Sequence, residues 1–153
     1  MAISGLSSVR RAFDNVGNET NNKLRAAYIT WLSATVIQTP VHTVDGGRLR
    51  NSWYLTKDRP SNAKGRSANT SGSSSITDIA TMPQWLLGEK IYLTNPLPYA
   101  NVVEYGGYPI PVKQGSYIDG QYQVLSVNGY SKQAPNGMVR INLQRLQKQV
   151  RNL

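Results

Sequence analysis

The chain has 153 residues, no cysteine and a single histidine, and its 17 Lys and Arg against 8 Asp and Glu give a net charge of +9. That length fits one domain able to bury roughly two-thirds of its unfolded surface. The lack of cysteine excludes a disulfide framework and a thiol nucleophile, while the charge calls for acidic partners, either nucleic acid or an acidic protein surface. A hydrophobic content of 39% with abundant Gly, Ser, Asn and Thr predicts a modest core carrying long polar loops. The longest apolar-leaning run, Ile29 to Ile37, is interrupted by Thr30, Ser33 and Thr35. It falls far short of the roughly 20 residues a membrane span needs. No charged start followed by an apolar core opens the chain, so no signal peptide is expected.

In chain order, Leu6, Val9, Phe13, Val16, Thr20, Leu24, Ala27, Trp31 and Thr35 recur every three or four positions, one stripe down one helical face. Gly17 and Asn18, Asn21 and Asn22 weaken its middle, so the prediction is one long helix with a break possible near Gly17, ending before Pro40. Asp45-Gly46-Gly47 is a turn, Arg48 to Ser52 a short helical turn, and Trp53 to Thr56 a strand by its aromatic and β-branched content. The polar segment 57–82, rich in Ser, Asn and Gly, cannot bury enough apolar surface to offset its ordering entropy; a flexible loop is expected. Met82 to Leu87 re-anchors the chain.

Lys90 to Tyr108 then reads as a rigid elbow. Ile91 and Leu93 alternate as a strand, Asn95-Pro96 stops it, Pro98 presets a helix start, Tyr99 to Tyr105 make a turn or two, and Gly106-Gly107 ends the helix. Pro109 to Lys113 is extended, and a hairpin is expected near 117–130, where Asp119-Gly120 and Asn128-Gly129 are turn signals. The last stretch, Asn136 to Leu153, carries Val139, Leu143, Leu146, Val150 and Leu153 on one stripe, flanked by Arg140, Arg145, Lys148 and Arg151. This is an amphipathic helix with cations toward its C-terminus, where the helix dipole favours them. No internal repeat or second domain is evident. The fold class is α+β: a long N-terminal and a C-terminal helix packed on a small, mostly antiparallel sheet, with long polar loops, in one domain over 1–153.

His42, Asp45 and Ser52 are the only set resembling a hydrolase triad, but no Gly-x-Ser-x-Gly elbow surrounds Ser52, and a polar connecting loop explains all three better. One histidine and dispersed carboxylates offer no metal-ligand spacing, so neither metal nor cofactor is expected, nor enzymatic activity. Gly46-Gly47-Arg48 lacks the Gly-Lys-Ser/Thr close of a phosphate loop. Arg48 and Arg50, beside a turn of exposed N–H groups, could clamp a carboxylate or phosphate of a neighbouring chain. The basic C-terminal helix suits nucleic acid or an acidic partner as well as it suits plain solvation. Trp31, Trp53 and Trp85 read as core or interface anchors. Glu104 has no carboxylate near it in sequence, which favours a structural or intersubunit pair over acid catalysis.

Two segments together carry a resemblance. Thr39-Pro-Val, then Asp45-Gly-Gly-Arg-Leu-Arg-Asn-Ser-Trp, is followed by Asn95-Pro-Leu-Pro-Tyr-Ala and Val103-Glu-Tyr-Gly, with Ala134-Pro-Asn-Gly-Met-Val-Arg leading the last helix. In this order they resemble the tailed-bacteriophage neck and tail-completion (head–tail joining) family over about residues 20 to 150, although His42-Thr43-Val44 lengthens the first motif. The resemblance implies an α+β virion subunit, made in the host cytoplasm, that forms a homo-oligomeric ring of six or twelve copies at the head–tail junction. It implies no catalysis. Its implied partners are the adjoining connector or portal-side ring and the tail tube or tail terminator, with packaged DNA as a further contact and no membrane. On this reading the interaction residues are Arg48, Arg50, Tyr99, Glu104, Tyr105, Arg140, Arg145, Lys148 and Arg151, and the isolated protein is a monomer that closes into a ring only on a template. The alternative is a small basic DNA-binding or packaging-associated module.

Overall fold

Helix α1, Leu6–Gln38, runs for 33 residues without interruption in the computed structural model, which describes residues 6–105, 116–118, 121–123, 126–127, 130–131 and 133–151. The possible break at Gly17 does not occur. A lone glycine costs a helix only about 1 kcal/mol, and the Trp85 ring covers this one, lying 3.7 Å from where a Cβ would stand. One turn on, Asn21 is almost fully buried and uses both ends of its amide. It donates to the Gln84 carbonyl at 2.8 Å and accepts from the Leu86 N–H at 2.7 Å. The residues that weaken the helix in isolation are therefore where the returning 83–86 segment docks, with Met82 and Leu86 buried on either side of it.

The apolar stripe of α1 is buried only in its second half, around Ala27, Leu32 and Val36. Leu6, Val9, Phe13 and Val16, expected on the same core face, are 68, 54, 74 and 63% exposed.

After Pro40, the Asp45 carboxylate accepts from the N–H groups of Gly47 and Leu49 at 2.9 and 3.3 Å, which starts helix α2, Arg48–Asn51. Gly47 has a φ of +83°, and a Cβ there would press to 2.6 Å on the Asn69 carbonyl, so only glycine fits. Strand β1, Tyr54–Lys57, pairs antiparallel with β2, Ile91–Thr94, in the register Tyr54↔Thr94 to Lys57↔Ile91. Trp53 precedes β1 in the core, its indole N–H donating to Thr39 Oγ1 at 2.8 Å.

The segment 57–82, expected as a flexible polar loop, is not without regular structure. The segment contains helix α3, Ser73–Ala80, which sinks Ile79 and the following Met82 into the core. The rest is laid over α2 by hydrogen bonds. Arg66 N–H donates to Ser52 Oγ at 2.9 Å, Asn51 Nδ2 to the Ser67 carbonyl at 3.1 Å, and Ser74 N–H to Asn51 Oδ1 at 3.0 Å. Polar pairing thus offsets the ordering cost where composition offered no apolar area.

Helix α4, Ala100–Tyr105, follows Pro98 as expected, while its double-glycine stop lies outside the described residues, as does the extended stretch Pro109 to Lys113. The hairpin expected near 117–130 is two short antiparallel pairs. Strand β3, Ser116–Ile118, pairs with β4, Gln121–Gln123, and β5, Ser126–Val127, pairs with β6, Tyr130–Ser131. Helix α5, Arg140–Val150, starts four residues later than its amphipathic pattern suggested. Its buried face is Asn142 and Leu146, with Leu143 and Val150 40 and 41% exposed at the edge. The described residues therefore form an α+β fold in which α1 and α5 pack together, with three two-stranded ladders instead of one sheet.

Candidate functional site

The residues of the resembling motifs are brought together, and their polar atoms face one another. Asn95 Nδ2 donates to the Leu49 carbonyl at 2.9 Å, tying the elbow to α2. The Tyr99 hydroxyl reaches the Asp45 carboxylate at 3.3 Å. Burial of the phenol, and then the neighbouring Asp45 charge, raise its pKa above the ordinary tyrosine value. Gly65 packs against Leu97 and Arg48, closing the same corner from the 57–82 side.

Glu104 holds the second junction. Its carboxylate, 5% exposed, accepts from the N–H groups of Met138, Val139 and Arg140 (the last two both at 3.1 Å) and from Arg140 Nε at 3.0 Å. The Arg140 guanidinium also donates to the Glu104 carbonyl at 2.8 Å and lies 4.4 Å from the centre of the Tyr105 ring. Burial pushes the carboxyl pKa up, but four donors outweigh it and hold the group below the ordinary glutamate value. Val139, the N-cap residue of α5, has no capping side chain of its own. Glu104 supplies the cap from another helix, with its charge at the positive end of the dipole. Gly137 makes room for it: φ is +73°, and a Cβ would lie 2.8 Å from Glu104 Oε1.

Arg48, which is exposed, and Arg50, which is half-buried, are both hydrogen-bonded to backbone carbonyls of this chain. Arg48 Nε donates to the Arg66 carbonyl at 3.1 Å, and Arg50 donates to the carbonyls of Thr39 at 2.9 Å and Thr70 at 2.8 Å. Both tie the 57–82 segment to α2, and Arg50 also ties in Thr39, just after α1. His42, Asp45 and Ser52 make no side-chain hydrogen bond with one another. His42 Nδ1 accepts from the Val44 N–H at 3.2 Å, and buried Ser52 is engaged by Arg66. Among the described residues no group of three His, Asp or Glu side chains could hold a metal ion, and no helix is long and apolar enough to cross a membrane.

The remaining proposed contact residues lie outward on α5. Arg145, Lys148 and Arg151 are exposed, and Arg145 donates to Asn142 Oδ1 at 3.2 Å. Arg145 and Lys148 flank a groove of about 420 Å³ between α5 and the Thr30–Ala34 turn of α1, floored by Trp31 and Leu146. A second groove, about 540 Å³, is lined by Val41, Val44, Leu49, Tyr99, Val102 and neighbouring residues.

Sequence reasoning missed Arg66, which bonds the carbonyls of Asn51 and Trp53 at 3.3 and 3.1 Å, pairs with Asp78 at 2.6 Å and stacks 4.0 Å over Tyr54. It also missed Asn21 and Gly137. Sequence carries no signal for them: Arg66 stands between Gly65 and Ser67 and Asn21 between Thr20 and Asn22, and polar neighbours give no hint of distant backbone partners. Compared with family models, curated proteins and solved structures, the chain matches none.

Proposed function

We propose that this chain is a structural subunit of a phage head–tail junction, forming a ring of six or twelve copies between the connector or portal side and the tail tube or terminator. One observation carries the reading. Asp45, Asn95, Tyr99 and Glu104, four polar residues of the resembling motifs, are all engaged in holding α2, α4 and α5 together. They act as a frame. What the frame presents outward is contact surface: a cationic face on α5 and an apolar one on the first half of α1. Unlike surfaces on one subunit are what a closed ring of heterologous contacts requires.

The test is co-sedimentation of the purified protein with tail tubes or connector rings across a salt series. Association that weakens steeply with salt is expected, because exposed charges are screened beyond about 8–10 Å at physiological ionic strength. Failure to join any particle at low salt would end the reading. The exposed Arg145, Lys148 and Arg151 favour one alternative, a small DNA-binding or packaging-associated module. That alternative predicts tight duplex binding in the same series, with a slope set by the number of phosphates contacted.

A further inference from the structure

Arg145 stands at the join of two recesses. On one side is the groove of about 420 Å³ between α1 and α5, with Trp31, Ala34 and Leu146 among its walls. On the other is a smaller recess of about 230 Å³, lined in part by Gln38, Gln133 and Asn136. A relay of amides fixes the arginine between them. Gln38 Oε1 accepts from Asn142 Nδ2 at 3.0 Å, and Asn142 Oδ1 accepts from the Arg145 guanidinium at 3.2 Å. Asn142 is 1% exposed and also donates to the Met138 carbonyl at 2.7 Å, so the relay is anchored in the core.

We infer that the two recesses take a short peptide segment of another protein, one in which an acidic residue neighbours an apolar one. Charge carries the first part. Lys148, one helical turn beyond Arg145, lines the groove with it, and no residue lining either recess is acidic. Neither cation has a carboxylate partner among the described residues. The bond to Asn142 uses one N–H of the guanidinium and leaves the others for a carboxylate, which arginine grips with two parallel bonds.

The walls carry the rest. An apolar groove favours an aliphatic or aromatic anchor beside that carboxylate. The side-chain amides of Gln133 and Asn136 each offer a donor and an acceptor, which matches a peptide group. Duplex DNA brings anionic oxygens to the cations, but its backbone has no N–H for the amides and no side chain for the groove. A second copy is the poorer source, because the chain itself carries +9. The inference names the chemistry of the partner that the cationic face of α5 meets, and rests on the proposed function only for which protein supplies the segment.

Fluorescence anisotropy on the full chain at about 0.15 M salt tests it with short, end-capped, fluorescein-labelled peptides. One carries glutamates on both sides of a leucine–phenylalanine pair; a second has glutamine for the glutamates, and a third has serine for the apolar pair. The first should bind with a dissociation constant on the order of tens of micromolar, and each control at least about fivefold more weakly. Lys148→Glu, which reverses a rim charge, and Ala34→Leu, which fills the groove, should each weaken it by about tenfold or more. Arg145→Lys, which keeps the charge and loses the fork, should weaken it by about threefold. Lys148 is exposed, so its variant tests the site even if Ala34→Leu fails to fold. Equal binding of the three peptides, or a Lys148→Glu protein that binds like wild type, would overturn the inference. A short DNA duplex should lose affinity with Lys148→Glu and not with Ala34→Leu; equal loss in both would make the groove a nucleic-acid site and end the inference. Peptide binding without co-sedimentation on particles sustains it while ending the ring reading, and co-sedimentation without peptide binding does the reverse.

Discussion

Glu104 caps a helix to which it does not belong, and Arg140, in the first turn of that helix, closes on it at 3.0 Å. The pair joins the elbow to α5 by charge, by backbone donors and by the guanidinium's bond to the Glu104 carbonyl. Removing one partner of a buried pair costs about 3–5 kcal/mol, because the remaining donors lose their acceptor. Glu104→Ala should lower the melting midpoint by on the order of 10 °C, and Glu104→Gln, which still accepts hydrogen bonds, should lose about 1–2 kcal/mol. Thermal unfolding followed by circular dichroism reads both. Equal stability of Glu104→Ala and wild type would mean that the cap holds nothing.

The same site sets a pH limit. Glu104 is held below the ordinary carboxyl value in the folded chain. Its contribution is therefore complete above about pH 4.3, the unfolded value, and is lost as the pH falls through the lower folded one. Tyr99 lies at the other end: its raised value makes its contribution complete below about pH 10 and lost as the pH rises through the folded value. Urea unfolding across pH should show both limbs. Glu104→Gln should flatten the acid limb, and Tyr99→Phe the alkaline one.

Gly17 and Gly137 should respond oppositely to alanine. At Gly17 a Cβ meets only the Trp85 ring at 3.7 Å, an ordinary contact, within a continuous helix. Gly17→Ala should stabilise by about 0.5–1 kcal/mol. At Gly137 the φ of +73° and the approach to Glu104 both exclude a Cβ, so Gly137→Ala should cost about 1–3 kcal/mol. Midpoints from chemical denaturation decide between these signs.

Periodicity made the two terminal helices legible, and proline made the ends of α1 and β2 and the start of α4 legible, because those signals are local and steric. The elements missed were held by non-local polar pairing. The Ile76, Ile79 and Met82 spacing inside the polar segment was a helical hint, but its serine-rich setting hid it. Nothing in sequence shows that the carbonyls of Arg66, Thr39 and Thr70 come within reach of Arg48 and Arg50. The outer half of the α1 stripe has the core's periodicity and none of its burial. Period records which face is apolar, and leaves open which chain covers it.

Arg66 is where segment 57–82 is fastened, and it offers the sharpest check on that segment. Its guanidinium bonds two carbonyls of the α2–β1 turn and Asp78 of α3, and covers the Tyr54 ring. A lysine reaches one of these partners as a point charge and cannot bridge them. Arg66→Lys should cost about 1–3 kcal/mol. Hydrogen exchange should resolve the effect by place. In the wild type the N–H groups of Arg66 and Ile76, both hydrogen-bonded, should exchange slowly despite the polar setting. In Arg66→Lys they should speed up while the Asn21-bonded N–H of Leu86 stays protected. Fast exchange at Arg66 and Ile76 in the wild type would return the segment to the loop that its composition suggests.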